Sequence, residues 1–180
     1  MRGSKPSARA KPARIDVRIS PRPARAIRAA ALKSAARAAL DAARVRRSVA
    51  LTIVITGDAA LRRLNRDFLG VDAPTDVLSF TAENAGVEPS GGDTRNRQAK
   101  PAEASTPTYL GDVIISLARA KAQSKSGGHP LIDELRLLVI HGVLHLLGYD
   151  HATPAQKKRM WAAQAKALKR AGASIEGLSV

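Results

Sequence analysis

The stretch that decides the fold runs from Pro130 to His151 and reads PLIDELRLLVIHGVLHLLGYDH. Proline is favoured at the start of a helix, and apolar residues follow on nearly every side of the segment up to Gly148. A helix that is apolar all round belongs in the interior of a domain. We therefore predict a buried helix here, which the rest of the chain has to cover.

Three of the four histidines in the chain lie in the second half of this stretch. A spacing of four places His141 and His145 on one face of the helix, one turn apart. Gly148 can end the helix with a turn that returns His151 to the same point. Three nitrogen ligands with a fourth position left for water are typical of catalytic zinc, whereas structural zinc sites usually close all four positions. The sequence therefore predicts one Zn²⁺ ion held by His141, His145 and His151.

Strand and helix patterns alternate along the rest of the chain. β-branched and alternating segments predict strands at residues 15–19, 49–55, 75–81 and 110–117. Apolar residues at helical spacing and capping residues predict helices at 24–45 and 58–68, after the fourth strand as far as Gly127, and from Pro154 onward. A length of 180 residues fits a single domain. We expect this domain at 15–172, with a disordered basic arm at 1–14, an exposed insertion at 83–108 and a frayed tail at 173–180.

The composition excludes several classes of protein. Cysteine is absent, so disulfides, thiolate metal sites and thiol nucleophiles are ruled out. The longest apolar stretch, at 137–147, contains two histidines and is too short to span a membrane. Residues 1–14 lack the apolar core of a secretory signal, so we expect a cytoplasmic protein, although their arginine-rich composition also fits an organellar transit peptide.

Positive charge is concentrated at the two ends of the chain, which has a formal net charge of +15. Residues 1–47 hold fourteen basic and two acidic side chains. This pattern suits a polyanion such as RNA, because Lys and Arg displace the counterions condensed on phosphates, but it equally suits a basic solvated surface. Only five residues are aromatic, so we expect contacts with RNA to involve its backbone more than its bases.

The histidine spacing is also similar to the HExxHxxGxxH of metzincin proteases, which provides one competing hypothesis. Those enzymes use the glutamate after the first histidine as general base, and Gly142 occupies that position here. Gly142 instead leaves open space beside the metal, where a neighbouring backbone or a bulky substrate could approach. A second competing hypothesis is a non-catalytic protein that binds RNA or the ribosome and holds a structural metal.

Residues 141–151, HGVLHLLGYDH, resemble the HGxLHLxGYDH signature of the YbeY endoribonucleases. Three more blocks agree with that family in the right order, namely Leu64-Asn65, APTDVLSF at 73–80 and LGD at 110–112. Together the blocks cover roughly residues 48 to 160, and their combination is highly specific.

The resemblance implies a compact α/β (α+β) domain in which a small mixed sheet packs against helices. It also implies zinc held by the three histidines and cleavage of single-stranded RNA. The implied role is maturation of the 3′ end of 16S ribosomal RNA and ribosome quality control. Single-stranded RNA, ribosomal RNA and the ribosome are therefore the expected partners.

The sequence leaves the general base unidentified. Asp150, adjacent to His151, is either a hydrogen-bond partner that orients an imidazole or a carboxylate of the turn. Asp76 and Asp112 stand at strand ends within the family blocks, and are structural or functional. Tyr149 either donates a hydrogen bond near the site or packs by its ring.

One position departs from the family pattern. Members commonly carry an arginine just before the glycine in a motif like LNxxYRG, and Leu69 occupies its place here. That arginine is thought to bind phosphate, so its loss bears on substrate binding. We expect phosphate contacts from other arginines instead, namely Arg62, Arg63 or Arg66, with Arg136 as a weaker candidate.

Overall fold

The computed structural model describes residues 13–20, 27–82 and 106–175; most of the predicted arm and insertion and the end of the predicted tail lie outside these ranges. Within them, four strands and five helices follow one another in the predicted order. Their bounds are β1 (Arg14–Ile19), α1 (Ala29–Ala42), β2 (Val49–Thr56), α2 (Asp58–Leu69), β3 (Val77–Thr81), β4 (Thr108–Ser116), α3 (Leu117–Ser126), α4 (Leu131–Leu146) and α5 (Pro154–Ala171). None of these helices is both long and apolar enough to cross a membrane.

The strands form one mixed sheet in the order β1-β2-β4-β3. β1, β2 and β4 run parallel, and β3 pairs antiparallel with β4 at the edge. Parallel neighbours need a long crossover, which α1 supplies between β1 and β2. The predicted α/β (α+β) fold with a small mixed sheet packed against helices is confirmed.

α4 is the buried central helix that its sequence predicts. Twelve of its 16 residues are buried, and it packs against α1, α3 and α5 as well as β3 and β4. Leu135, Leu138 and Leu144 are completely inaccessible to solvent. Each such side chain contributes roughly 1.5–3 kcal/mol through burial, which explains why an all-round apolar helix takes the central position.

The pairing between β2 and β4 shifts by one residue between Ala50 and Leu51. Gly111 lies opposite this shift with φ +134°, and a Cβ there would come within 1.9 Å of the carbonyl oxygen of Phe80. Only glycine fits both the backbone conformation and the close approach of β3. The glycine inside the predicted fourth strand therefore marks an irregularity in the sheet rather than its end.

Several predicted element ends differ from the structure. α1 starts at residue 29 rather than 24, since Arg28 is still extended, and β4 starts at residue 108 rather than 110. α1 ends at residue 42 rather than 45, because Arg44 turns the chain with φ +58°, a conformation that its residue type does not announce. β3 starts two residues later than predicted. The Asp76 carboxylate accepts a hydrogen bond from the backbone nitrogen of Val77 at 2.8 Å, and residues 75 and 76 turn into the strand.

The chain beyond α5 is packed as far as it is described. Ile175 is buried, and the backbone nitrogen of Ser174 donates to Oδ2 of Asp133 at 3.1 Å. Asp133 also accepts from Arg136 at 2.6 Å, and Arg136 in turn donates to the carbonyl of Gly172. The domain therefore extends to residue 175 at least, past the limit of 172 expected from the sequence.

α2 covers only part of the face of the sheet that lies opposite α4. Leu61 is buried there, and the ring of Phe68 meets that of Phe80 with centroids 5.2 Å apart. Over β1 the same face carries side chains that stay exposed, namely Arg14, Asp16 and Arg18.

Candidate metal centre

The structure brings the three predicted histidines together at the C-terminal end of α4. His141 and His145 project from its last turns, and Gly148, with φ +78°, turns the chain so that His151 returns to them. One ligand nitrogen from each side chain lies within 4.8 Å of the others, and the Nε2 atoms of His141 and His145 are 3.1 Å apart. Two nitrogens of a tetrahedral zinc site are separated by roughly 3.3 Å. The group could therefore hold a metal ion.

His141 is the buried member of the group. Its Nδ1 lies 3.1 Å from Oε1 of Gln164, a residue of α5 that is itself only 3% exposed. Because a glutamine Oε1 can only accept, Nδ1 carries the proton and Nε2 keeps its lone pair for a metal. Burial lowers the pKa of His141 to about 4, with the charges of His145 and His151 adding to the effect. The imidazole is thus neutral at pH 7, the form that binds metal.

His145 is half-buried, and His151 is exposed. Burial, followed by the charge of His151, lowers the pKa of His145, while a hydrogen bond to the main chain of Tyr149 opposes the shift. The ring of His151 packs edge-on against that of Trp161, with centroids 5.7 Å apart. Exposure to solvent therefore increases from His141 through His145 to His151, and His151 lies on the open side of the group.

A cleft of about 510 Å³ opens over the histidines. Its opposite wall is the segment that leads into β3, and the residues lining that wall are Leu69, Thr75, Asp76, Val77, Leu78 and Ser79. Asn65 supports this wall from α2, because its buried amide donates to the carbonyl of Ala73 at 2.7 Å. The Leu-Asn and APTDVLSF blocks thus form one side of the cleft, and the histidine block forms the other.

Asp76 is the carboxylate among the residues that line this cleft. Its Oδ2 accepts from Nε2 of Gln123 at 2.8 Å, and its Oδ1 accepts from the backbone nitrogen of Val77. Asp112 lies elsewhere, where its Oδ1 accepts from the hydroxyl of Tyr109 at 2.7 Å. Of the two carboxylates that the sequence left undecided, the structure places Asp76 at the site.

Asp150 and Tyr149 occupy the turn between α4 and α5. Oδ1 of Asp150 accepts from the backbone nitrogen of its neighbour His151 at 2.7 Å, a bond that stabilises the turn. The negative charge of Asp150 also opposes the lowering of the pKa of His145. Tyr149 packs against the core, and the guanidinium of Arg159 lies 6.0 Å from its ring centroid. The hydrogen bond from His151 to Asp150 is the one expected of a turn carboxylate.

Gly142 is required by packing. A Cβ at this position would lie 2.5 Å from Cγ1 of Val113 and 3.0 Å from Oγ of Ser79. The same serine donates to the carbonyl of Gly142 at 3.2 Å. The space at Gly142 is thus occupied by two side chains rather than by the neighbouring backbone or substrate expected from the sequence, and it leaves no room for the glutamate of a metzincin.

The arginines expected to bind phosphate do not line the cleft. Arg62 is engaged in a two-pronged ion pair with Asp72 at 2.7 and 2.9 Å, and Arg66 pairs with Asp67 at 2.9 Å. Arg63 is exposed on α2, and Arg136 binds Asp133. Leu69, by contrast, is in the cleft wall and 58% exposed. The leucine thus lies beside the metal site, whereas the candidate arginines lie outside it.

Gln164 is the site residue that sequence reasoning missed. It lies on the same side of α5 as Met160, Ala163 and Ala167, which are buried. A single polar residue within the apolar stripe of an amphipathic helix signals a buried hydrogen bond. That signal was available in the sequence, but its partner on another helix was not.

Comparison with known proteins places this fold and site among described families. A family profile described as "Endoribonuclease YbeY" matches residues 20–172. The Endoribonuclease YbeY of Roseiflexus sp. (strain RS-1) is 40% identical over 163 residues, which are 90% of this chain and 95% of the relative. The protein of the same name from Chloroflexus aggregans (strain MD-66 / DSM 9485) is 46% identical over 126 residues, 70% of this chain and 75% of the relative. The match extends over nearly the whole described domain.

A solved structure shares the fold. The solution structure of TM1509 from Thermotoga maritima superposes with a TM-score of 0.54 and 21% sequence identity. The superposition covers 87% of this chain and 88% of the other. At this identity the likeness concerns the arrangement of strands and helices alone.

Proposed function

Since the chain belongs to the YbeY endoribonuclease family, we propose that it hydrolyses phosphodiester bonds in single-stranded RNA with one Zn²⁺ ion held by His141, His145 and His151. The observation that carries this proposal is the grouping of three imidazoles, with ligand atoms within 4.8 Å of one another, in the wall of an open cleft. A structural metal site would instead be expected to close its coordination with a further protein ligand.

The donor set fits zinc. Imidazole nitrogens suit zinc, and the low pKa of His141 keeps that ligand neutral at physiological pH. Zinc in such a site supplies Lewis-acid chemistry and lowers the pKa of a bound water from about 15.7 toward 7.

The protein's own residues orient the ligands. Gln164 holds Nδ1 of His141, and the main chain of Tyr149 holds the ring of His145, so both imidazoles are fixed before any metal arrives. Asp76 stands across the cleft and is the proposed proton acceptor. Its carboxylate is held at a defined position by Gln123 and by the backbone of Val77.

The basic first turns of α5 lie close to His151, the most exposed of the three histidines. Nζ of Lys157 lies 4.9 Å from the ring centroid of Trp161, and that ring packs against His151. Lys157, Lys158 and Arg159 are all exposed in the first turns of the helix. We propose Lys157 as a phosphate contact in place of the family's arginine, because it is exposed and lies over the ring that packs on His151.

The family resemblance supports a finer proposal for the biological substrate. The enzyme matures the 3′ end of 16S ribosomal RNA and acts in ribosome quality control in the cytoplasm, with the ribosome as partner. Depletion of the protein in its host should then cause precursors extended at the 3′ end of 16S ribosomal RNA to accumulate. Normal 3′ ends after depletion would reject this assignment while leaving the nuclease activity itself intact.

The first test is cleavage of a labelled single-stranded RNA by zinc-loaded protein. His145→Ala and a chelator-treated sample serve as controls, and circular dichroism checks that both are folded. Cleavage that is lost in both controls supports a metal-dependent nuclease. Folded, zinc-loaded protein that binds RNA without cutting it would favour the competing non-catalytic role, and peptide cleavage that disappears in His145→Ala would favour the protease.

A further inference from the structure

A second cleft, of about 580 Å³, lies at the opposite edge of the sheet from the metal centre. We call it the outer cleft, and it is formed on β1, β2, the start of β4 and one side chain of α1. Its polar lining residues are Arg14, Asp16, Arg18, Lys33, Thr52 and Tyr109. Nothing in the proposed chemistry of the metal centre uses any of these residues.

Tyr109 is an aromatic residue fixed on an open face of the sheet. Its hydroxyl donates to Oδ1 of Asp112 at 2.7 Å and lies 2.8 Å from Oγ1 of Thr52, which is buried. Even so, 41% of the tyrosine stays exposed. A ring that is held by its own hydroxyl loses little further freedom when a base stacks on it, and such stacking is a common mode of binding to single-stranded nucleic acid.

The charge around this tyrosine is positive on balance, with Arg14, Arg18 and Lys33 set against Asp16 and Asp112. Arg14 and Arg18 flank Asp16 on β1, and Nε of Arg18 neutralises that carboxylate at 2.9 Å. Lys33 reaches the same cleft from α1. This surface complements a polyanion.

We infer that the outer cleft is a second binding site for single-stranded RNA, with a base stacked on Tyr109 and phosphates beside Arg14 and Arg18. The inference rests on the proposed function for its ligand, and it adds where the flanking part of the substrate is held. β1 and β3 are the two edges of the sheet. An RNA bound at both sites therefore has to extend past the width of the sheet, at least about 14 Å at roughly 4.8 Å per strand.

The test measures binding of a fluorescein-labelled 12-nucleotide single-stranded RNA to the full chain by anisotropy. Two variants test the outer cleft, namely Tyr109→Ala and the double variant Arg14→Ala/Arg18→Ala. The control is the double variant Lys166→Ala/Lys169→Ala, which removes two exposed charges from the far part of α5. Loss of one stacked base should weaken binding by at least about fivefold. Tyr109→Phe, which keeps the ring, should retain more affinity than Tyr109→Ala. The arginine pair should also flatten the salt dependence of binding more than the lysine pair does.

Cleavage kinetics separate this inference from the proposed function. With a 12-nucleotide RNA, Tyr109→Ala should raise KM with little change in kcat, whereas a trinucleotide substrate, too short to span both sites, should be cut as by the unaltered protein. If Tyr109→Ala and the arginine double variant cut RNA with unchanged KM and bind it with unchanged affinity, the second site is overturned while the nuclease proposal stands. If no RNA is cut but binding still depends on Tyr109, the nuclease proposal fails and the second site stands.

A second measurement covers the case in which Tyr109→Ala does not fold. Irradiation of the unaltered protein with RNA that contains 4-thiouridine should crosslink the segment carrying Tyr109, as read by mass spectrometry of the peptides. Crosslinks confined to the segments around the metal centre would contradict the inference.

Discussion

Nδ1 of His141 lies 3.1 Å from Oε1 of Gln164, so an amide from α5 sets the tautomer of a histidine on α4 that could hold a metal ion. Both side chains are buried, with 5% and 3% of their surfaces exposed. The packing of these two helices thereby determines which imidazole nitrogen faces the cleft.

Replacing Gln164 should weaken metal binding without removing a ligand. Gln164→Leu leaves Nδ1 of His141 without its acceptor, so we expect the affinity for zinc to fall by about 10- to 100-fold. Competition with a chromophoric chelator measures this affinity. Gln164→Glu keeps an acceptor at the same place and should retain most of it. Equal affinities for all three proteins would show that the hydrogen bond does not orient the ligand.

Zinc should stabilise the fold through the three histidines and not through the fourth. At a free zinc concentration of 100 times Kd, binding adds about 2.7 kcal/mol to the free energy of unfolding. His145→Ala should lose this increase in Tm. His129→Gln is the matched control, because His129 contacts Glu134 at 2.5 Å and lies outside the metal group. If zinc raised the Tm of His145→Ala but not that of His129→Gln, the assignment of the metal site would be contradicted.

Asp133 should make the stability depend on pH. Burial alone would raise its pKa, but hydrogen bonds from Ser174 and Arg136 outweigh burial and lower it below its usual value. A carboxylate with a lowered pKa in the folded state contributes stability that is present above about pH 4 and lost as the pH falls through the folded pKa.

Asp133→Asn should therefore cost roughly 1–3 kcal/mol at pH 7, and the difference from the unaltered protein should shrink below pH 4. Urea denaturation at a series of pH values measures this. Asp41→Asn changes an exposed carboxylate on α1 and serves as the control. A constant difference across the whole range would show that the charge on Asp133 is irrelevant to folding.

Gly142→Ala should destabilise the protein, because the new methyl group meets Val113 at 2.5 Å. Valine is stiff about χ1 and cannot swing aside, so we expect a loss of about 1–3 kcal/mol in the free energy of unfolding. Val113→Ala alone also destabilises, by leaving a cavity. The double variant should be more stable than the sum of the two losses predicts. Strict additivity would mean that the two side chains do not compete for one space.

Lys157→Ala should raise KM for single-stranded RNA by a few-fold and leave kcat nearly unchanged, if Lys157 contacts a phosphate beside the cleft. Steady-state cleavage at two salt concentrations measures both constants, and the effect should diminish at the higher salt because of screening. Lys166→Ala removes an equal charge from the same helix, farther from His151, and is the control. The same loss in both variants would indicate only a general attraction between the helix and RNA.

Much of this protein could be predicted from local patterns in its sequence. The apolar run from Leu131 to Leu147 determined the buried helix, and the spacing of His141, His145 and Gly148 placed the histidines together. Alternation and helical periodicity predicted the order of strands and helices, because these signals depend on neighbours a few residues apart. The resemblance to the YbeY family, now shown by the comparisons, rests on the same local blocks.

The tertiary structure decided what depends on distant segments. Gln164 meets His141 across 23 positions, Ser79 meets Gly142 across 63, and Tyr109 meets Thr52 across 57. The strand order β1-β2-β4-β3 and the packing of α2 determine which arginines are paired with carboxylates. They also determine that Asp76, rather than Asp112, reaches the cleft. Periodicity states which face of an element is buried, but not which element covers it, because burial is non-directional and many partners satisfy it equally. Only the packed sheet and helices select one set of partners, and with it the two clefts.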